Sequence, residues 1–316
     1  GTHNGGVNIL AFFLPVIAAM ILLAGCGNQT VEQAINADKG QAETDAGESV
    51  KKSKHVKKDT KKEKDTELSD TEEAEAVEKE DAYFEVKSLS DSNDQKEDQT
   101  EIFVSSYQYY TITGGKGDQA VIDKVNQALN DDLSKAKENS DSTLAEAKSG
   151  YTDYQAYQET LPKEERQKFS PYALYYQSSI VRNDEQVFSI CVRIDVNFQG
   201  AHGDYSYHCL NFDAQTGDVI GWNDLSDDTK QFEANVISLV QDISKSEDYA
   251  DRFYDVDTTD FSSAILQDGT FALTEEGMEI VIDPYIFGPY ASGAFSFRLK
   301  ADQLAGIKEQ YIFKKI

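Results

Sequence analysis

The stretch Val187–Asp218, VFSICVRIDVNFQGAHGDYSYHCLNFDAQTGD, reads as strand, turn, strand and turn. Phe188, Ile190, Val192, Ile194, Val196 and Phe198 alternate without a break, so one face of the first strand is buried. A turn centred on Gly200 sets Ile190 opposite Leu210 and Phe188 opposite Phe212, which keeps apolar with apolar. His208 then falls opposite Val192 on the core face. On the other face Arg193 meets Tyr207 and Cys191 meets Cys209. A bulge within Gln199–Gly203 would shift this register by one residue and turn over one strand's faces. Without a bulge the two cysteines stand opposite one another, where a disulfide needs a Cα separation of about 4.4–6.8 Å. The alternative is a pair of reduced strand cysteines. Asp213–Asp218 (DAQTGD) is a tight turn with Gly217 at a positive-φ position.

C-terminal to this hairpin, Val219–Trp222 reads as a short strand, and Ser226, Asp227 and Asp228 offer helix caps. Phe232, Val236, Leu239, Val240 and Ile243 recur at helical spacing. Asp248–Ser263 is a polar connection. Phe271–Thr274, Met278–Asp283 and Phe295–Lys300 are strands. The segment PYIFGPYASG (Pro284–Gly293), rich in Pro and Gly, is an irregular aromatic loop, and Leu304–Phe313 is a short terminal helix or strand. On the N-terminal side, Ile102–Thr113 is a strand and Gly114–Gly117 a turn, with no Lys-Ser/Thr to make it a phosphate loop. Ile122, Val125, Leu129 and Leu133 predict a helix over Asp118–Lys137, with Asp118 as its cap. Ser142–Glu159 is a second helix, whose Tyr151, Tyr154 and Tyr157 form a packing stripe. Tyr172–Val181 is a strand and Arg182–Glu185 a polar turn. Strands in hairpins with helices between them give the α+β class: antiparallel sheets with helices packed on one face.

This folded part follows a disordered tether. Gly27–Thr100 holds few large apolar residues and segregated charge, so it cannot offset the entropy of ordering. A lysine cluster runs from Lys51 to Lys64, suited to a solvated tether or to anionic lipid and wall polymer near an anchor. Before it, Ile9–Ala24 is an uncharged apolar run too short for a confident span, which takes about 20 residues. It has the character of a signal-peptide core. It ends in Leu23-Ala24-Gly25-Cys26, which resembles a bacterial lipobox with Cys26 as the lipidated thiol; the alternative is a short transmembrane anchor. Residues 1–8 carry neither a Met start nor a Lys or Arg. A diacylated cysteine satisfies the need for more than one chain in stable anchoring. The expected segments are therefore 1–26 signal and lipidated cysteine, 27–100 linker, 101–198 an N-terminal module and 199–316 a C-terminal module.

The formal net charge is −27, from Asp+Glu 57 against Lys+Arg 30. That balance speaks against nucleic acid and favours cationic partners. Within the folded part the histidines are His202 and His208, with no CxxC and no HExxH, so no metal or cofactor is expected. Asp255–Asp260 begins like a calcium loop, but it lacks the glycine at loop position six and has Leu266 where the closing acid belongs. No nucleophile elbow is present, and no catalytic residue is assigned. His202 beside Asp204 is the best local candidate for acid–base work, although turn histidines are more often structural.

Three motifs in order carry a family resemblance: QGAHG (Gln199–Gly203), NFDAQTGDVIGWNDL (Asn211–Leu225) and PYIFGPYASG (Pro284–Gly293). They resemble the C-terminal RsiV-like domain, and Glu101–Phe198 is similar to its usual companion. That pair occurs in RsiV-type anti-sigma factors and in PdaC-type peptidoglycan deacetylases. The resemblance implies an extracellular sensor that binds lysozyme, a cationic wall hydrolase. The chain shows neither a sigma-binding segment ahead of the apolar run nor a deacetylase domain with its Asp and His ligands, so regulated proteolysis and deacetylation are not expected of it. The reading is a lipid-anchored protein on the outer face of the bacterial cell membrane, binding lysozyme-like hydrolases or peptidoglycan through His202, Asp204, Tyr205, Tyr285 and Tyr290. The alternative is a peptidoglycan-modifying enzyme or its accessory subunit.

Overall fold

The computed structural model describes residues 82–199 and 202–315. The elements are β1 (Phe84–Ser92), β2 (Gln95–Glu97), β3 (Thr100–Gly115), α1 (Gln119–Glu159), β4 (Tyr172–Asn183), β5 (Val187–Asn197) and β6 (Asp204–Asp213). They continue with α2 (Thr229–Ser244), α3 (Glu247–Ala250), α4 (Phe261–Ile265), β7 (Phe271–Leu273), β8 (Gly277–Ile282) and β9 (Phe295–Lys300). The class is α+β. One sheet runs β1-β3-β4-β5-β6 with β2 on β3, and the other runs β7-β8-β9.

The β5–β6 hairpin has the register read from its alternation. Phe188 faces Phe212, Ile190 faces Leu210, Val192 faces His208, Cys191 faces Cys209 and Arg193 faces Tyr207. Pairing runs unshifted from Val187↔Asp213 to Val196↔Asp204. Cys191 and Cys209 are joined in a disulfide. Gly217 takes φ 76°, closing the turn after β6.

This hairpin is buried on both faces, which makes the molecule four layers deep. Phe188, Ile190 and Val192 pack with Val125, Leu129 and Leu133 of α1. The opposite face sets Val181, Cys191, Tyr207 and Cys209 against Ala272, Val281 and Ala294 of the second sheet. That sheet's other face, with Phe271, Ile280, Phe295 and Phe297, meets Phe232, Val236 and Val240 of α2. Small residues between the sheets allow their close approach.

The structure corrects several expectations. The linker expected to run to residue 100 already holds β1 and β2. Phe84 is fully buried against the Phe188 ring at 5.7 Å, but the rest of β1 is an edge strand with polar residues on its open side. Its backbone pairs with β3 over its whole length, and that pairing leaves no hydrophobic signal in the sequence. The two expected helices are one, of 41 residues. Its buried stripe passes through Ser140 and Thr143, whose hydroxyls bond back to the carbonyls of Ala136 and Asn139; polar residues there imitate a break. Asp118 occupies the cap position without a side-chain capping bond. The crossover through α1 makes β3 and β4 parallel, the exception to the antiparallel expectation.

Arg182, expected in a polar turn, lies inside β4 and is fully buried. It bonds Asp184 at 2.5 Å and the Tyr311 carbonyl at 2.6 Å, tying the first sheet to the C-terminal segment. Val219 forms only an isolated bridge with Phe212, and Trp222–Asp224 is a 3-10 turn. The connection 248–263 buries Phe253 and Phe261. The terminal segment is made of 3-10 turns at Ala301–Gln303 and Glu309–Tyr311. The expected module boundary at 198/199 falls in the β5–β6 turn, within one sheet; the sheets divide after β6.

Candidate functional site

The site forms where the start of β6 meets the loop between β8 and β9. Alternation along β6 turns Tyr205 and Tyr207 toward the second sheet, on the same side as Cys209. The loop leaves β8 at Asp283 and returns through a 3-10 turn at Tyr290–Ser292. Tyr285 takes φ 70°, a left-handed conformation that is unfavourable for a bulky residue. The His202 ring stacks on Tyr290 with centroids 4.0 Å apart and planes 12° from parallel. Tyr285 lies 5.5 Å from Tyr290, and its hydroxyl is 3.1 Å from His202 Nε2. His202 Nδ1 is 2.9 Å from the Gly203 carbonyl. A carbonyl only accepts, so Nδ1 carries a proton, and in the neutral ring Nε2 accepts from the Tyr285 hydroxyl. Tyr205 meets Tyr290 edge-on at 6.1 Å, and its hydroxyl accepts from the Ala294 N–H.

Charged groups brace the aromatic cluster from behind. The Arg193 guanidinium donates twice to Asp195, at 2.9 Å each, and once to the Tyr207 hydroxyl. It lies 4.3 Å from the centroid of the Tyr205 ring, a cation–π distance. Burial pushes the Tyr207 phenol well above its ordinary value. Asp283 accepts the Tyr207 N–H at 2.7 Å. Burial raises the Asp283 carboxyl to about 6; the Tyr207 bond and His208 oppose that rise, and the charge of Asp204 adds to it. Asp204 is raised too, by burial, against the Tyr205 N–H and His202. Burial thus disfavours the anion of both carboxyls that accept the backbone N–H groups of Tyr205 and Tyr207. Arg252 holds the loop through the carbonyls of Ser292 and Ala294, and burial lowers its pKa.

The outer rim is open. Tyr285 is 43% exposed, Ile286 55% and Tyr254 63%, a contiguous apolar surface on a chain otherwise rich in charge. Tyr254 and Ile286 border a cleft of about 480 Å³ that also takes in Asp255, Asp260 and Thr258. The Tyr254 N–H donates to the Phe287 carbonyl, which joins the cleft to the loop. Asp260 caps α4 through the Ser263 N–H and hydroxyl, and Asp255 accepts the Asp257 N–H. These carboxylates serve turns.

His202, Asp204, Tyr205, Tyr285 and Tyr290 are thus brought together, across more than eighty residues of sequence. No hydrogen bond joins His202 to Asp204, so the acid–base pair suggested by their proximity in sequence does not form. Sequence reasoning missed Arg193 as the brace of Tyr205, Asp283, and the exposed Tyr254 and Ile286. An acid following the apolar run Ile280–Ile282, directly before Pro284-Tyr285, was the available signal for Asp283. Cys26 and the apolar run before it lie outside the described residues. Among the described residues no helix is long and apolar enough to cross a membrane.

Residues 223–302 match the family model described as "Protein of unknown function (DUF3298)". That span includes the PYIFGPYASG loop and ends within the region of the RsiV-like resemblance. No curated protein matches the chain. A solved structure of a DUF3298 family member from Bacteroides fragilis is similar with a TM-score of 0.55 at 11% identity, covering 72% of this chain and 95% of that one. A DUF3298 family protein from Pseudomonas aeruginosa PAO1 gives 0.47 at 11% identity, covering 73% and 98%. The first likeness shows a shared fold.

Proposed function

We propose that this chain is an extracytoplasmic binding protein, held at the bacterial membrane through lipidated Cys26. Its ligand surface is the His202–Tyr285–Tyr290 cluster with the adjoining Tyr254–Ile286 rim. Its partner is a cationic wall hydrolase of the lysozyme type. The observation that carries this reading is Tyr285. A bulky side chain is held at φ 70°, leaves 43% of its surface exposed, and still has its hydroxyl engaged by His202. Strain of this kind is retained where the surrounding structure over-determines it, and it concentrates at ligand sites. Rigid aromatic side chains supply contact area at low entropic cost, which suits a protein-binding surface. The net charge of −27 supports attraction to a basic partner and predicts a salt-sensitive association rate. The three-motif RsiV-like resemblance supports the same partner class.

A second reading, binding of cell-wall glycan, draws support from the ring faces at Tyr254 and Tyr285, since aromatic platforms also pack against sugars. Calorimetric titration separates the two. Under the leading reading lysozyme binds the full chain, more weakly as salt rises, and chitooligosaccharides give no heat. Absence of heat with lysozyme at low and at moderate salt removes it.

A further inference from the structure

A second cavity lies on the other side of β6, away from the aromatic loop. It occupies about 620 Å³, within the range of small-molecule sites. It opens between α1, the helix-facing side of β6 and the loops at 219–224 and 268–271 of the second sheet's module. Its floor is apolar, with Ile194, Leu210 and Phe271. Its walls are not.

On the α1 wall, Asp132, Lys135 and Asn139 stand three and four residues apart and so share one helix face. Asp132 is held by two donors. His208 Nε2 reaches both carboxylate oxygens, at 2.8 and 2.9 Å, and the Tyr176 hydroxyl donates at 2.7 Å. Burial pushes the Asp132 carboxyl up, but His208, Tyr176 and Lys135 together hold its pKa below the ordinary value, so it stays an anion. Donation from Nε2 leaves His208 Nδ1 without a hydrogen-bond partner among the described residues. A histidine in a row of apolar residues on a core face is costly unless it has such a partner. The facing loop is pressed close: the Cys209 N–H donates to the Gly269 carbonyl at 2.8 Å. Gly269 takes φ 81°, and a Cβ there would meet the His208 Cβ at 3.2 Å. That close approach places Asp268 in the lining of the same cavity as Lys135. Lys135 and Asp268 have no hydrogen bond or ion pair among the described residues.

We propose that this cavity is a binding site for a small zwitterionic ligand of the short-peptide class. Lys135 takes the terminal carboxylate and Asp268 the terminal ammonium. Asn139 and His208 Nδ1 bond the peptide groups between them. Ile194, Leu210 and Phe271 receive an apolar side chain. The fixed anion of Asp132 orients His208 for this contact and does not itself meet the ligand's carboxylate. The site shares no residue with the aromatic cluster and stands independently of the hydrolase reading.

The test is titration of the full chain with L-alanyl-L-leucyl-L-alanine and with its N-acetylated and C-amidated forms. The free tripeptide should bind, and blocking either end should weaken it about tenfold, as expected for a charge-assisted bond. Lys135→Ala should abolish the preference for the free carboxylate only, and Asp268→Asn the preference for the free ammonium only. Both residues are exposed, so unchanged thermal unfolding checks that the variants fold. No binding at millimolar tripeptide overturns the proposal. So does equal binding of the blocked forms, or indifference to both substitutions.

Discussion

Replacing Asp283 with Asn should make the protein more stable at neutral and higher pH, with the gain fading toward acid. The carboxyl rises from 3.8 to about 6 because burial disfavours its anion, and Asp204 nearby adds to the rise. A shift of that size corresponds to about 3 kcal/mol. Below the unfolded-state value, near 3.8, the group is protonated in folded and unfolded chains alike and its full contribution is present. As pH rises through 6, the folded protein must ionise a buried group that the unfolded chain has already ionised, and that stability is lost. Asn keeps an oxygen to accept the Tyr207 N–H, now at 2.7 Å, and carries no charge. The Asp283→Asn variant should therefore exceed the parent by only about 0.5 kcal/mol at pH 4 and by up to about 3 kcal/mol at pH 8. For a chain of this size that raises Tm by about 6–10 °C. Thermal unfolding of both proteins across pH 4 to 8 gives a difference curve in which the other carboxylates cancel. A flat difference, or a variant less stable at pH 8, would refute the burial argument.

Three further outcomes follow from named contacts. The Cys191–Cys209 disulfide closes a loop of 18 residues, so the double Ala variant should lose about 3 kcal/mol in urea unfolding; a midpoint unmoved by reductant would contradict it. Arg182→Ala takes the buried guanidinium from the half-buried Asp184 carboxylate, which keeps the Gln186 and Val187 N–H donors, and from the Tyr311 carbonyl, and should cost about 3 kcal/mol in the same assay. A loss below about 1 kcal/mol would mean that the site relaxes or admits water. Tyr285→Gly should leave stability within about 1 kcal/mol, because relief at φ 70° offsets the lost ring contacts. It should nevertheless weaken lysozyme binding at least about tenfold, as loss of a central aromatic contact does; unchanged affinity would count against the aromatic site.

The sequence was most legible where alternation was unbroken. The β5–β6 register, and with it the facing of Cys191 and Cys209, followed from matching apolar residues about one turn without a bulge; the bond between them did not. The last three strands were legible as short apolar runs bounded by turns, and the 229–244 helix from apolar residues at helical spacing. What escaped was held by backbone or by concealed polar contacts. β1 relies on pairing with β3 and one buried phenylalanine. The middle of α1 hides Ser140 and Thr143 behind bonds to its own carbonyls. Arg182 sits where charge normally means surface, and its partners lie far off in sequence at Tyr311. The candidate site was legible as a set of residue types. Its geometry was not, because the His202–Tyr285 contact needs the packing of one sheet on the other. His208 was placed on the core face, and Asp132 on a helix, but their meeting depends on where α1 crosses β6.

The binding claim is tested most directly by hydrogen exchange of the full chain with and without saturating lysozyme. The account predicts slowed exchange at 202–207, 254–260 and 284–293, with the 219–224 and 268–271 loops unchanged. Protection confined to other segments, with the aromatic loop exchanging at its free rate, would contradict it.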